Sequence, residues 1–254
     1  MARVLDLLIV AGTAVLSVRL LMAGLHRRYR AFFLYLIFET VRGAVVASVN
    51  QHSDLYQKIW VLTEPLEWLF YVLVLLEIYS LVLADYRGLA TAGRWILLAA
   101  VAVALLASGL TLLAPSTVTG QGPLLRYYYV AERAVYFSLA VFLLTILGFL
   151  TQYPITLTRN IIVHSMIFTG YFLGNTALYS LLSMHIFGEQ FLQVIAYPLD
   201  LVTIASLCAW LVMLNPTGEH RTASVRRSFT PKREQELVSQ LNSLNAALLR
   251  VARK

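Results

Sequence analysis

Ionisable side chains lie inside several apolar runs of this sequence. Glu39 and Arg42 are three residues apart in one run, and Glu64 and Glu67 have the same spacing in the next. Residues three apart share one face of an α-helix. The spacing therefore predicts an ion pair in the first run and two like charges on one face in the second. Because adjacent carboxylates need a proton or a cation nearby, these residues could take up a proton or bind a cation.

Later apolar runs carry further ionisable groups, namely Glu77, the adjacent pair Glu132 and Arg133, and Asp200. If the runs cross a membrane, most of these groups fall in one layer of its outer half, and Glu77 lies toward the cytoplasm. Ionisable groups at such depth cost about 2.5–3.5 kcal/mol each and usually face a bundle interior or water. The carboxylates of this layer outnumber its two arginines, so we expect some acids to be protonated or to bind a cation.

Two prolines accompany the acids. Pro65 follows Glu64 directly, and Pro198 precedes Asp200 by two residues. Helix breaks at prolines are tolerated in membranes where they line a cavity or are repaired by neighbours. We therefore expect helix breaks at both prolines, facing each other across a polar pocket open to the outside. The predicted ligand or ion pocket comprises Glu39, Arg42, Glu64, Glu67, Glu132, Arg133, Asp200, Tyr136, Asn175 and Tyr197. The alternatives are a purely structural Glu–Arg network and a contact with lipid or a partner helix.

Composition indicates that a membrane positions these residues. The chain has 254 residues, of which 59% are hydrophobic, and its mean hydropathy is +0.72. Soluble domains are nearer 45–50% apolar. Apolar runs of about 20 residues recur, which is the length that crosses a hydrocarbon core of roughly 30 Å. The sequence predicts an all-α polytopic membrane bundle of seven transmembrane helices. The predicted spans are 4–25, 31–49, 59–84, 95–114, 127–150, 160–183 and 191–214.

The basic residues are shared unequally between the two sides of this bundle. One side carries Arg27, Arg28, Arg30, Arg87, Arg94, Arg159 and the basic tail, and the other carries Arg3, Lys58 and Arg126. By the positive-inside rule we expect the N-terminus outside and the C-terminus in the cytoplasm, in a bacterial cytoplasmic (inner) membrane. The net charge of +7 comes mostly from the excess of basic residues on the predicted cytoplasmic side and in the tail. It indicates a lipid bilayer as partner rather than nucleic acid.

A weak internal repeat divides the predicted membrane domain, residues 1–214. The pair Ile-Phe occurs at 37–38 and at 167–168, and EPLE at 64–67 corresponds to YPLD at 197–200. These matches indicate two parallel three-helix units joined by the fourth helix, with chance similarity as the alternative. This 3-1-3 plan looks like that of semi-SWEET sugar-transporter relatives and of some seven-helix receptors. The resemblance is one of architecture, because the Pro-Gln loop motif is missing.

The tail changes character after residue 214. Residues 215–230 are polar and basic, which predicts a flexible linker, and residues 231–254 form a predicted cytoplasmic helix with Pro231 at its first position. Apolar residues in that helix alternate in steps of four and three, the spacing of a heptad. They are Leu237, Leu241, Leu244, Leu248 and Val251. The helix would pair with a second copy or a cytoplasmic partner, or lie on the inner leaflet; disorder is the third alternative.

Several function classes are disfavoured. The lysines are Lys58, Lys232 and Lys254, all outside the predicted spans, so no retinal Schiff base can form. A lone cysteine, Cys208, and scattered histidines favour neither a disulfide nor a metal site, and we expect no cofactor. No nucleophile accompanies the paired carboxylates, so we do not expect an enzyme.

Three functions remain open. The preferred one is a sensor or signalling scaffold with an outward polar pocket coupled to the tail helix, which looks like the seven-helix input modules of bacterial sensor proteins. A small ion- or proton-coupled transporter and a structural or assembly protein without ligand are the alternatives.

Overall fold

The chain folds into a bundle of α-helices, seen in a computed structural model that describes residues 2–49, 53–84, 86–112, 123–153, 156–183, 189–219, 222–224 and 231–252. The helices of this part are α1 (Ala2–Met22), α2 (Arg30–Ser48), α3 (Asp54–Val82), α4 (Arg87–Leu112), α5 (Pro123–Gln152), α6 (Arg159–Ser183), α7 (Glu189–Met213) and α8 (Pro231–Ala252). Two short strands, β1 (Thr156–Thr158) and β2 (Thr222–Ser224), pair antiparallel. The predicted all-helical class is confirmed.

In the part of the chain that the structure describes, five helices are long and apolar enough to cross a membrane, which supports the prediction of a membrane protein. Their candidate spans are Val4–Met22, Arg30–Ser48, Lys58–Val82, Ala131–Leu150 and Arg159–Ser180. Within the described residues, α4 and α7 contribute shorter apolar stretches, Gly88–Val103 and Tyr197–Met213. The predicted number of seven spans is therefore supported only in part.

Several helices extend beyond their predicted ends. Helix α4 begins at Arg87 rather than at residue 95, and α3 begins at Asp54 rather than at residue 59. Ser53 caps α3, because its hydroxyl accepts a hydrogen bond from the Tyr56 backbone N–H at 3.2 Å. Hydropathy detects the apolar part of a helix, so polar turns that continue it are missed.

The predicted helix breaks at the two prolines are wrong. Helix α3 continues across Pro65 and α7 continues across Pro198. Each proline lacks the N–H that would bond the carbonyl four residues earlier, but the turns on both sides stay helical. Pro65 is exposed at the surface of the bundle.

Helix contacts close the bundle into a ring. Helices α1, α2 and α3 pack in sequence order, as do α5, α6 and α7, and α7 packs back against α1. Helix α3 also contacts α5 and α6, which places it against both halves, and α4 packs mainly on α5. The core between α2, α6 and α7 is aromatic: fully buried His164 lies with its ring centroid 4.4 Å from that of Phe32 and 5.9 Å from that of Trp210.

The first part of the predicted flexible linker 215–230 is folded, which corrects that prediction. Residues Pro216–Glu219 form a 3-10 turn, and β2 then pairs with β1, which lies just before α6. The Asn215 side chain stabilises the turn, because its Oδ1 accepts from the Gly218 N–H at 2.7 Å. Residues 220–221 and 225–230 lie outside the described residues.

Helix α8 packs against α4 of the same chain. Leu237 and Leu241 are 8% and 0% exposed. The backbone N–H of Gly88, at the start of α4, donates to Asn245 Oδ1 at 2.7 Å. Part of the predicted heptad face is therefore covered within the chain.

The remaining heptad positions differ in exposure. Leu244 is 43% exposed and Leu248 is partly buried, while the side chain of Val251 lies outside the described residues. Pairing with a second copy stays a prediction. It would use the exposed side of α8 near Leu244, or it would have to uncover Leu237 and Leu241.

Candidate functional site

The site is built on two consecutive helices. A short connection joins α2 to α3, so the two pack side by side in opposite directions. Glu39 and Arg42 lie one turn apart on α2, and Glu64 and Glu67 lie one turn apart on α3. The helical period places each pair on one face, and the packing brings the two faces together.

Arg42 lies at the centre of a cluster of acids. Its Nη1 donates to Glu39 Oε1 at 3.1 Å and also to Glu67 Oε2, and its Nη2 donates to Glu64 Oε2 at 2.6 Å. Its Nε donates to the Thr63 hydroxyl at 2.9 Å. All three guanidinium nitrogens are therefore engaged. We call these five residues, Glu39, Arg42, Thr63, Glu64 and Glu67, the Arg42 cluster.

The Arg42 cluster is closed to solvent. Side-chain exposure is 8% for Arg42, 3% for Glu64 and 9% for Glu67, and Glu39 reaches 16%. Three carboxylates against one guanidinium leave a formal surplus of two negative charges. An uncompensated buried charge is costly, so the surplus favours uptake of protons.

A chain of tyrosine hydroxyls leads from the cluster into the centre of the bundle. The Tyr71 hydroxyl donates to Glu67 Oε1 and lies 2.8 Å from the Tyr171 hydroxyl of α6. The Tyr35 hydroxyl donates to that of Tyr71 at 3.4 Å. Sequence reasoning missed these three tyrosines. The available signal was helical spacing, because Tyr71 follows Glu67 by four residues and Tyr35 precedes Glu39 by four.

Other predicted pocket residues lie beside this chain. Tyr136 of α5 is buried, and its ring lies parallel to that of Tyr179, with the centroids 5.6 Å apart. Asn175 is buried, and its Nδ2 donates to the Tyr171 carbonyl at 2.8 Å within α6. Glu132 is 1% exposed, and its carboxylate interacts electrostatically with Glu64. These three residues therefore belong to the surroundings of the cluster.

Three predicted members of the pocket lie elsewhere. Arg133 lines a separate cavity against α4, Asp200 interacts electrostatically with Asp6 of α1, and Tyr197 is 36% exposed. The expected approach of EPLE and YPLD across a pocket stays a prediction. Helix α7 packs mainly on α1 and α6, whereas α3 packs mainly on α2, α5 and α6. Asp200 of α7 also interacts electrostatically with Tyr56, near the start of α3.

Glu77 has a structural role at the opposite end of α2. Its Oε1 accepts from the Ala31 N–H at 3.0 Å, and its Oε2 accepts from the Phe32 N–H at 3.3 Å. A carboxylate at a helix N-terminus satisfies free N–H groups and interacts favourably with the helix dipole. Acidic residues of α3 therefore contact α2 in two places: Glu77 at its N-terminus, and Glu64 and Glu67 at Arg42.

The turn after α7 is fastened to the start of α2. Glu219 Oε1 accepts from the Tyr29 hydroxyl at 2.6 Å and from Asn160 Nδ2 at 2.7 Å, and Oε2 lies 2.9 Å from Arg28 Nε. We call these four residues, Arg28, Tyr29, Asn160 and Glu219, the tail latch. Burial and the bond to Glu219 raise the pKa of Tyr29. These contacts join residues that are far apart in sequence, so no local pattern predicts them.

A glycine permits the close approach within the tail latch. A Cβ added to Gly218 would lie 2.1 Å from Asn160 Oδ1, closer than non-bonded atoms approach. The turn therefore needs glycine beside the residue that carries the latch carboxylate.

Within the described residues, no group of three or more His, Cys, Asp and Glu side chains could hold a metal ion. Comparison of the chain with models of protein families, with curated proteins and with solved structures found no match. The Arg42 cluster and the tail latch are therefore the features from which function is inferred.

Proposed function

We propose that this protein is a seven-helix membrane sensor or signalling scaffold, in which the Arg42 cluster receives a proton signal and transmits it to the cytoplasmic tail. The observation that carries the proposal is the convergence of Glu39, Glu64 and Glu67 on the single buried Arg42. A structural network needs only matched charges. A surplus of acids makes the packing of α2 on α3 depend on what neutralises them.

The proposed topology places the N-terminus outside and the C-terminus in the cytoplasm. The shorter apolar stretches of α4 and α7 would complete the seven spans. Arg28, the start of α4 and the tail meet at one end of the bundle. A concentration of basic residues at one end supports a cytoplasmic position for that end.

Helix α2 is the proposed link between input and output. Arg42 lies about 18 Å along the helix from Arg30, at roughly 1.5 Å per residue, and Arg28 and Tyr29 of the tail latch come directly before α2. Both sites therefore act on one rigid element. An element whose two arrangements are biased by both sites is the physical requirement for coupling.

The mechanism follows from the charge surplus. Neutralising one acid of the cluster weakens its hold on Arg42, so the guanidinium redistributes its hydrogen bonds among the remaining partners. The start of α2 then shifts slightly relative to α3 and moves Tyr29 and Arg28. This movement weakens or strengthens their contacts with Glu219. Because Glu219 is followed by β2 and then α8, the exposed side of α8 becomes more or less available to a second copy or to a cytoplasmic partner.

A proton- or cation-coupled transporter is the second candidate. The chain of hydroxyls from Glu67 through Tyr71 to Tyr171 favours it, because hydroxyls can relay protons into the bundle. In proteoliposomes a transporter would pass a pH-dependent current or solute flux that Glu67→Gln abolishes. The third alternative is a structural or assembly protein without ligand. It would show no flux, and Glu67→Gln would not change the amide protection of its tail.

Hydrogen–deuterium exchange of the tail tests the sensor proposal. Glu67→Gln keeps the shape of the side chain and removes one charge, and Asp200→Asn is the matched control, because Asp200 lies outside the Arg42 cluster. We expect Glu67→Gln to change amide protection in residues 222–224 and at the start of α8, and Asp200→Asn to leave it near the wild-type level. Unchanged tail protection in a folded Glu67→Gln variant would contradict the proposal.

A further inference from the structure

A large apolar cavity lies beside α4 and α5, and none of its lining residues belongs to the Arg42 cluster. Its volume is about 1000 Å³, and α3, α4, α5 and α6 line it. Lining residues such as Ile96 and Val103 of α4 and Phe137 of α5 are 64%, 63% and 56% exposed. The cavity is therefore open sideways, at the surface that α4 and α5 share.

The cavity lies at membrane depth. On α5 its lining runs from Arg133 to Phe149, which is about 24 Å at roughly 1.5 Å per residue. Both residues fall within the candidate span Ala131–Leu150. An apolar space that opens sideways inside a bilayer is filled by hydrocarbon, because its walls offer water no hydrogen bonds.

Arg133 gives the cavity a charged end. It is the one charged residue among the described residues that line the cavity, and it lies near the start of the α5 span. No ion pair or hydrogen bond joins it to another residue in the part of the chain that the structure describes. A partly buried guanidinium at this depth favours an anionic partner.

Three hydroxyl groups that line the cavity are already hydrogen-bonded within their own helices. The hydroxyls of Ser138, Thr176 and Ser180 each donate to the carbonyl four residues earlier in their own helix, at 2.7–2.8 Å. The cavity thus has a cationic end, satisfied hydroxyls beside it and apolar walls beyond. This pattern is complementary to an amphipathic anion.

The geometry points to a binding site for an anionic phospholipid, with its acyl chains in the cavity between α4 and α5 and its phosphate-bearing headgroup at Arg133. The length of the cavity along α5 exceeds the depth of one leaflet, which is about half of a 30 Å core. The volume is at the upper end of ligand sites, about 300–1000 Å³. This site is separate from the Arg42 cluster, so it does not depend on the proposed sensing.

Native mass spectrometry of the detergent-purified protein tests this inference. The protein is titrated with phosphatidylglycerol or with phosphatidylcholine of the same acyl chains. Wild type should bind the anionic lipid more tightly, and Arg133→Gln should weaken that binding about tenfold, the loss typical of one charged contact, and leave phosphatidylcholine unchanged. Arg133→Lys, which keeps the charge, should retain the preference.

Two matched controls separate this site from ordinary lipid around the protein. Arg27→Gln removes an exposed arginine elsewhere and should keep the preference. Ala99→Trp fills the cavity from α4 and should lower binding of both lipids, whereas Leu98→Trp, next to it but outside the cavity lining, should not. An unchanged lipid preference in Arg133→Gln, or unchanged binding in Ala99→Trp, would overturn the inference.

Discussion

Removing the Arg42 guanidinium should destabilise the protein far more than removing any one acid that surrounds it. Arg42→Gln deletes contacts to three carboxylates and to the Thr63 hydroxyl. The acids would be left buried without their cation. Breaking a buried ion pair by removing one partner typically costs about 3–5 kcal/mol.

Neutralising one acid of the cluster should change the free energy of unfolding only slightly. Glu39→Gln or Glu67→Gln removes one charge from a cluster that has two in surplus, so lost attraction to Arg42 is offset by reduced repulsion between the acids. We expect these variants to lie within about 1 kcal/mol of wild type, whereas Arg42→Gln lowers the melting temperature by about 10 °C, at roughly 2–4 °C per kcal/mol for a chain of this size.

Thermal unfolding in mild detergent measures this asymmetry. The matched control is Arg27→Gln, because Arg27 is exposed and a surface substitution of this kind changes stability by less than about 0.5 kcal/mol. A double variant Arg42→Gln with Glu67→Gln should recover part of the loss, since it buries one acid fewer. Equal losses for Arg42→Gln and Glu67→Gln would refute the charge surplus and indicate a balanced network.

Other contacts give further predictions. Glu77→Gln should cost about 1 kcal/mol in thermal unfolding, because a neutral amide caps the start of α2 less well than a carboxylate. Leu241→Ala should destabilise α8 by about 2–5 kcal/mol, as for a fully buried leucine, and Leu244→Ala should have little effect; protease cleavage of the tail would compare them. The pKa of Tyr29 is raised in the folded state, so above pH 10, near the ordinary tyrosine value, the unfolded chain ionises first and stability falls. In pH-dependent unfolding, Tyr29→Phe should lack the part of this loss that comes from Tyr29, so its stability should fall less steeply above pH 10 than that of wild type.

The helical fold could be predicted because its signal is local. Apolar runs as long as a bilayer core mark each membrane helix whatever it packs against, and the heptad spacing identified α8. The folded turn at Pro216–Glu219 could not be found in this way. Asn215 stabilises the turn locally, but the contacts that fasten it to the bundle come from Asn160, Tyr29 and Arg28, which are distant in sequence. A polar and basic composition alone therefore predicts a linker.

The same distinction applies to the site. The pair of Glu39 with Arg42 follows from a spacing of three on one helix, and it forms as expected. The acids of α3 meet Arg42 only because α2 packs on α3. Composition does not predict which helices pack together. Depth alone places Arg133 with its neighbour, buried Glu132. Neighbouring residues on a helix point about 100° apart, and Arg133 lines the cavity against α4 instead.

The most direct test of coupling between the Arg42 cluster and the tail latch is a double-mutant cycle in thermal unfolding with Glu67→Gln and Glu219→Gln. The two glutamates share no contact partner, and mutations at separate sites normally add within about 0.3–0.5 kcal/mol. If α2 couples the Arg42 cluster to the tail latch, this cycle should show a coupling energy above about 1 kcal/mol. A control cycle of Asp200→Asn with Glu219→Gln should show a much smaller coupling energy. Simple additivity of Glu67→Gln and Glu219→Gln would contradict the account.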